Sequence, residues 1–67
     1  MNVLLRNLKP GNFKFSIYNA AGQKLWEEEK FIPTINDFIS IPISYLSGGV
    51  YWLRMTGSMN ATQKFIR

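Results

Sequence analysis

The stretch LSGGVYWLRMTGSMNATQKFIR, residues 46–67, decides the fold that we expect for this chain. After a pair of glycines, Tyr51, Leu53 and Met55 alternate with other side chains, and this two-residue period is typical of a strand with one buried face. A polar turn follows, and residues 61–67 form a last strand with two basic residues among its final four positions. An exposed final strand is a surface that another protein can bind.

The two-residue period continues towards the N-terminus. Phe13, Phe15 and Ile17 form a second apolar stripe, and the turn at residues 19–22 ends in a glycine, which tolerates a positive φ. The pattern predicts six strands, at Val3 to Leu5, Phe13 to Tyr18, Gln23 to Ile32, Phe38 to Ile43, Val50 to Met55 and Ala61 to Arg67. These strands, with regular turn signals and no long helical period, favour an all-β fold, a small antiparallel β-sandwich, Ig-like, of about six to seven short strands.

Two features of the predicted strands indicate sheet edges. The three adjacent glutamates at residues 27–29 imply an edge or a bulge, because one of them must otherwise point at the core. A helical turn over residues 24–30 is the alternative at this place. Pro42 cannot donate a ladder hydrogen bond, so its strand lies at an edge or ends there.

Residues 44–47 are a short connector that can form a single helical turn.

Composition limits the range of functions. The chain has 67 residues, which make a single domain, and it contains neither cysteine nor histidine, so a disulfide and the commonest metal ligands and general base are missing. The net charge of +4 favours anionic surfaces. The basic residues are scattered, however, and we expect no nucleic-acid partner. No apolar run approaches the roughly 18 residues of a membrane helix, so we expect no direct membrane insertion.

The carboxylates do not form a convincing reactive site. They are Asp37 and the glutamates at residues 27–29, and nothing near them would push two pKa values apart, as acid–base catalysis requires. A calcium site needs more oxygen ligands around a turn. Without a histidine or an activating lysine pattern, no serine or tyrosine is a credible nucleophile. We therefore expect no enzymatic activity, no catalytic residue, no cofactor and no metal.

Three aromatic residues, Tyr18, Trp26 and Trp52, support a competing function. By alternation, Tyr18 and Trp52 fall on faces opposite the apolar stripes, whereas alternation does not assign Trp26 to either face. A flat stacking platform of these three side chains would suit a carbohydrate-binding module of a secreted enzyme. The alternative is that they cover a second buried face or an open end of the core, and this interpretation is favoured.

Three motifs occur in a familiar order: IYNAAGQ at residues 17–23, ISYLSGGVY at residues 43–51 and KFIR at residues 64–67. In this order and spacing the chain resembles the C-terminal sorting domain of cargo proteins that the type IX secretion system of Bacteroidota exports. The family pattern is an I-x-N-x-x-G-Q hairpin, a long strand, an I-x-x-L-x-x-G-x-Y passage and a final K-x-I/V strand. The resemblance covers almost the whole chain.

The resemblance implies a role in transport. Domains of this family lie at the C-terminus of secreted enzymes and adhesins, fold in the periplasm and are recognised by the outer-membrane translocon. In many cases a cell-surface sortase then cuts upstream and attaches the cargo to anionic lipopolysaccharide. Residues 1–67 would thus be the secretion signal at the end of a larger protein, in the periplasm in transit and then at the cell surface or secreted. The implied partners are type IX translocon and sortase components.

Within this framework six residues become candidates for translocon recognition: Gly49, Tyr51, Lys64, Phe65, Ile66 and Arg67. Gly49 and Tyr51 would shape and anchor the penultimate strand, and the last four would be bound by strand addition. Plain core packing explains Tyr51 and Ile66 equally well. Lys64 and Arg67 have the better claim, because packing does not need a terminal charge.

One family feature is missing from the sequence. Members carry a tyrosine-proline-asparagine-proline segment shortly before the first strand, whereas this sequence starts at Met1-Asn2-Val3. If that segment contributes an edge strand, its loss exposes unpaired backbone groups, and a homodimer through the exposed edge strand becomes possible.

Overall fold

The computed structural model describes residues 1–7, 9–34 and 36–67. These residues form six β-strands and contain no helix. The strands are β1 (Asn2–Leu5), β2 (Gly11–Asn19), β3 (Lys24–Ile32), β4 (Asp37–Ser40), β5 (Val50–Thr56) and β6 (Ala61–Ile66). Accordingly, the described part of the chain has no helix that is long and apolar enough to cross a membrane.

The strands form two antiparallel sheets. The larger sheet has the order β3-β2-β5-β6, and β1 pairs with β4 in the smaller one. The all-β antiparallel fold predicted from the two-residue period is confirmed, while the Ig-like detail stays a prediction. The helical alternative at residues 24–30 is wrong, because the whole of this segment lies within β3.

The core lies between the sheets, as the alternation predicts. Phe13, Phe15 and Ile17 of β2 are at most 1% exposed, and Leu53 and Met55 of β5 lie beside them. The smaller sheet contributes Ile39, with Val3 and Leu5 half-buried against the same cluster. Each fully buried side chain of this size stabilises the fold by about 1.5–3 kcal/mol relative to an exposed one. A substitution such as Phe15→Ala would therefore cost about 3–5 kcal/mol.

The hairpin between β2 and β3 shows why its motif contains asparagine, glycine and glutamine. The amide of Gly22 donates to the Asn19 carbonyl at 3.0 Å, and Gly22 has a φ of 81°, in the left-handed region that glycine favours. The side chain of Asn19 accepts from the amides of Ala21 at 3.0 Å and Gln23 at 2.9 Å. This geometry is a three-residue hairpin loop that the side chain of Asn19 stabilises by accepting two backbone hydrogen bonds.

The fourth strand is shorter than predicted. It was expected to run from Phe38 to Ile43, but it ends at Ser40. Ile41 still donates its amide to the Met1 carbonyl at 2.7 Å, and Pro42 then has no amide to continue the pairing. In the connector that follows, the amide of Leu46 donates to the Ile43 carbonyl at 3.0 Å, which makes one turn.

Candidate functional site at the C-terminal strand

The last strand lies at the edge of the larger sheet. β6 pairs with β5 in a continuous register from Met55↔Ala61 to Val50↔Ile66. Its other side pairs with no strand in the described part of the chain. The expectation of an exposed final strand is therefore confirmed.

The hydrogen-bond pattern shows which backbone groups of β6 remain unpaired. Gly49 and Arg67 exchange both of their backbone hydrogen bonds, at 2.9 and 3.3 Å. In an antiparallel ladder such pairs alternate with pairs that do not bond each other. Residues 61, 63 and 65 therefore direct their N–H and C=O groups towards β5, and Thr62, Lys64 and Ile66 direct theirs towards the free edge.

Residues of the ISYLSGGVY motif contact the end of β6 and hold it in place. Leu46 is buried, and the Tyr51 hydroxyl donates to the Ser47 carbonyl at 2.8 Å. The Tyr51 ring, which is 7% exposed, stacks on Phe65 with the ring centroids 5.7 Å apart. Gly49 brings its backbone against Arg67. These contacts hold the inner face of β6 against the core.

Arg67 has a structural contact that sequence reasoning missed. Its Nε donates to the Ile43 carbonyl at 3.1 Å, and its Nη2 lies 3.5 Å from the Ser44 carbonyl. The side chain thus fastens the end of the sheet to the connector before β5. No local pattern could have indicated this, because the acceptors lie 24 and 23 residues earlier in the chain.

Lys64 and Ile66 are the candidates that face outward. Both side chains are exposed, and Ile66 is 76% exposed although it is large and apolar. Phe65, between them, is half-buried against Tyr51. Core packing thus explains Tyr51 and Phe65, whereas it leaves the exposure of Ile66 unexplained. The recognition roles of all six candidates stay predictions.

The three aromatic residues do not share one face. Tyr18 lies directly opposite Trp52, and the two side chains share the outer face of the larger sheet. Trp26 lies opposite Ile17, which is wholly buried on the inner face. Tyr18 and Trp52 line a shallow groove of about 560 Å³, but both are half-buried. The flat three-residue platform required by the carbohydrate-binding alternative is not formed.

Charge distinguishes the two edges of the larger sheet. At the β3 edge, Glu27 pairs with Lys24 and lies 3.2 Å from Lys14. The hydrogen bond from Lys24, followed by that from Lys14, holds the pKa of Glu27 below its ordinary value, and the same contact raises the pKa of Lys24. At the β6 edge, Arg54 and Lys64 form no ion pair with any described residue. This side of the sheet is therefore cationic.

An apolar groove of about 180 Å³ runs beside β6. β1 and β6 form its walls, and the buried side chains of Phe15, Leu53 and Met55 form its floor. Ala61, Thr62 and Gln63 line it on the β6 side, and none of the three is large and apolar. The sandwich is therefore open along the side where the free edge of β6 lies.

Comparison with known proteins identifies one family. The model of the family described as "Secretion system C-terminal sorting domain" matches residues 2–67. No curated protein and no solved structure matches the chain significantly.

Proposed function

Because the chain belongs to the family of secretion system C-terminal sorting domains, we propose that β6 is the part of this sorting signal that the export machinery recognises. The family comprises the C-terminal sorting signals of type IX secretion cargo, so this domain interacts with the type IX machinery. It directs the protein that carries it through the periplasm to the cell surface or the medium.

The exposure of Ile66 is the observation that carries this proposal. Of the large apolar side chains in the described residues, Ile66 has the highest exposed fraction, 76%, and it lies at a free strand edge beside Lys64. The rest of the strand is held by Phe65 and Arg67, so the exposed pair is presented on a fixed backbone. A rigid, unpaired strand with exposed side chains is suited to recognition by a protein partner.

Two finer steps belong to the same proposal. The partners are translocon and sortase components, and the sortase removes the domain by cleavage upstream of it. The domain itself has no catalytic role, a proposal supported by the lack of histidine and cysteine in the sequence. It acts as a sorting signal that other proteins bind.

The test is an export assay. The domain, with its natural upstream linker, is fused to a fluorescent protein that carries an inner-membrane signal peptide, in a bacterium with a working type IX system. Deletion of residues 64–67 alone is ambiguous, because it also removes the Phe65 stack and the Arg67 hydrogen bonds. The informative variant is the double substitution Lys64→Ala and Ile66→Ala, which changes only exposed side chains.

The control is the pair Glu29→Ala and Phe31→Ala, on the outer face of the opposite edge strand, where both side chains are exposed. We expect the intact and control fusions to reach the surface or medium and the β6 variant to remain in the periplasm. Normal export of the β6 variant would show that the export machinery does not recognise these two side chains.

We also propose that isolated domains pair weakly through β6. The register that uses all three unpaired residues places Lys64 opposite Lys64 of the second copy, and like charges directly opposite each other destabilise a strand pair. Sedimentation equilibrium should therefore show a monomer at low concentration and a tighter dimer for Lys64→Ala. A monomer at every concentration for both proteins would exclude this pairing.

A further inference from the structure

We propose that an extended segment of a partner protein, in which acidic and apolar residues alternate, adds to the free edge of β6 as a fifth strand of the larger sheet. This inference rests on the function proposed above and specifies the chemistry of the partner that binds β6. Four features of the structure support it.

The first feature is the free backbone. Thr62, Lys64 and Ile66 direct their N–H and C=O groups away from β5. They form a row of donors and acceptors along the free edge, which a strand in antiparallel register can pair with completely. Strand addition of this kind derives its affinity from main-chain hydrogen bonds and its specificity from alternate side chains.

The second feature is the contrast between the two edges of the sheet. The β3 edge carries five charged residues, at positions 24 and 27–30, and a register shift next to Tyr18. Charges and bulges are the usual protection against unwanted strand pairing. β6 pairs regularly over its whole length and has Lys64 as its one charged residue. Of the two edges, β6 carries the weaker protection, a single lysine and no bulge.

The third feature is the apolar groove between β1 and β6. An incoming strand places every second side chain on the inner face, next to Ala61, Gln63 and Phe65. The groove is open beside Ala61 and Gln63, and its floor there is formed by Leu53 and Met55. Apolar side chains of medium size at these positions of the partner would complete the wall of the sandwich.

The fourth feature is the charge of the outer face. The intervening side chains of an incoming strand lie beside Thr62, Lys64 and Ile66, close to Arg54 of the next strand. Because Lys64 and Arg54 form no ion pair with a described residue, acidic side chains at these positions gain an opposite-charge neighbour. A second copy of β6 would bring lysine to the same place, so charge favours the acidic partner.

The experiment uses the 67-residue chain labelled with ¹⁵N and a seven-residue peptide with blocked ends that alternates glutamate and valine. Two peptides serve as controls: one alternates lysine and valine, and the other contains the same glutamates and valines in two blocks. We expect saturable NMR shift changes and slowed amide exchange at Thr62, Lys64 and Ile66 with the alternating acidic peptide, weaker binding of the alternating lysine peptide and no binding of the block peptide.

Two substitutions make the test specific. Lys64→Glu should weaken binding of the acidic peptide roughly fivefold and strengthen binding of the lysine peptide, because an opposite-charge pair across strands becomes a like-charge pair. Lys64→Pro removes an amide that faces the free edge, where proline is tolerated, and should abolish binding of both peptides. Lys64→Ala keeps the amide and should lose only the charge contribution.

Several results would overturn the inference. They are the absence of saturable binding, equal binding of the block peptide, shifts confined to the Tyr18 and Trp52 groove, or a dimer that excludes the peptide.

The export assay distinguishes failure of the strand-addition inference from failure of the proposed function. If Lys64→Pro is exported normally while the Lys64→Ala and Ile66→Ala variant is not, strand addition is wrong and recognition of β6 stands. Normal export of both the double variant and Lys64→Pro refutes recognition of β6 itself, whatever the peptide does.

Discussion

At the scale of single residues, Gly57, in the turn between β5 and β6, lies directly against β2. A Cβ at this position would lie 2.7 Å from the Asn12 carbonyl oxygen and 2.9 Å from the Phe13 ring. Phe13 is 1% exposed and cannot move aside. We expect Gly57→Ala to lower the free energy of unfolding by about 1–3 kcal/mol, measured by urea denaturation.

Gly11→Ala is the matched control for this substitution, because Gly11 has a φ of 155° and Gly57 one of 157°, so both variants place an alanine at nearly the same φ. A methyl group added at Gly11 would have no atom within 4 Å. The urea midpoint of Gly11→Ala should fall less than that of Gly57→Ala, and equal losses for the two variants would show that the close approach at Gly57 is not the cause.

The ion pairs of Glu27 make the stability of the folded domain depend on pH. Because Lys24 and then Lys14 hold its pKa below the ordinary value, the folded domain binds fewer protons at mildly acid pH than the unfolded chain does. The stabilisation is complete above the pKa of the unfolded chain and is lost as the pH falls through the lower pKa of the folded state.

We expect a small effect, since the ion pair is exposed to solvent. Urea unfolding at several pH values should show Glu27→Gln to be slightly less stable than the unsubstituted domain at pH 7, with the difference disappearing in acid. Glu28→Gln serves as the control because no ion pair of Glu28 is found among the described residues. A difference that grows in acid would contradict the assigned ion pairs.

At the scale of elements, Arg67 ties the end of β6 to the connector before β5. Loss of its hydrogen bonds to the Ile43 and Ser44 carbonyls should weaken the last backbone pairs between β5 and β6. We expect Arg67→Ala to destabilise the end of β6 by about 0.5–1 kcal/mol and to speed amide exchange at residues 65 and 67. Exchange within β2 should not change.

Lys64→Ala is the control here, because it removes a charge from the same strand and leaves the Arg67 contacts intact. If both variants speed exchange equally, loss of positive charge explains the effect and the hydrogen bonds do not. The distinction also bears on the proposed recognition of β6, since a frayed strand would bind a partner more weakly even with Lys64 and Ile66 unchanged.

At the scale of the whole molecule, the two-stranded sheet is a partial cover for a four-stranded one. Val3 points inward from β1 and is half-buried, whereas its neighbour Leu4 points outward and is 41% exposed. A charge at Val3 would lie between the sheets with no described partner, while a charge at Leu4 would remain in water. The two positions thus test how strongly the small sheet depends on the core.

We expect Val3→Asp to destabilise the domain by at least about 2 kcal/mol and to reduce the near-ultraviolet circular dichroism of its aromatic residues. Leu4→Asp, one residue away, should leave both measurements nearly unchanged. Equal tolerance of the two substitutions would mean that the small sheet contributes little to the stability of the larger one.

Local pattern predicted much of this fold. The alternation of Phe13, Phe15 and Ile17 and of Leu53 and Met55 predicted strands and their buried faces, because side chains on a strand point alternately to the two sides. Pro42 predicted the end of pairing near β4, although the strand ends two residues earlier. The exposed last strand and the edge position of the glutamates were also predicted.

The sequence by itself therefore determined the strands, their inner faces, the Asn19 turn and, through the order of its motifs, the family. Only the tertiary structure decided which strands are neighbours, which edge is the less protected, and where the apolar groove opens. The reason is that backbone hydrogen bonds between strands are chemically the same for every pairing, so alternation assigns a residue to a face but does not assign its strand a neighbour. Arg67 is the clearest case, since its partners lie 23 and 24 residues away along the chain and become neighbours only in the folded sheet.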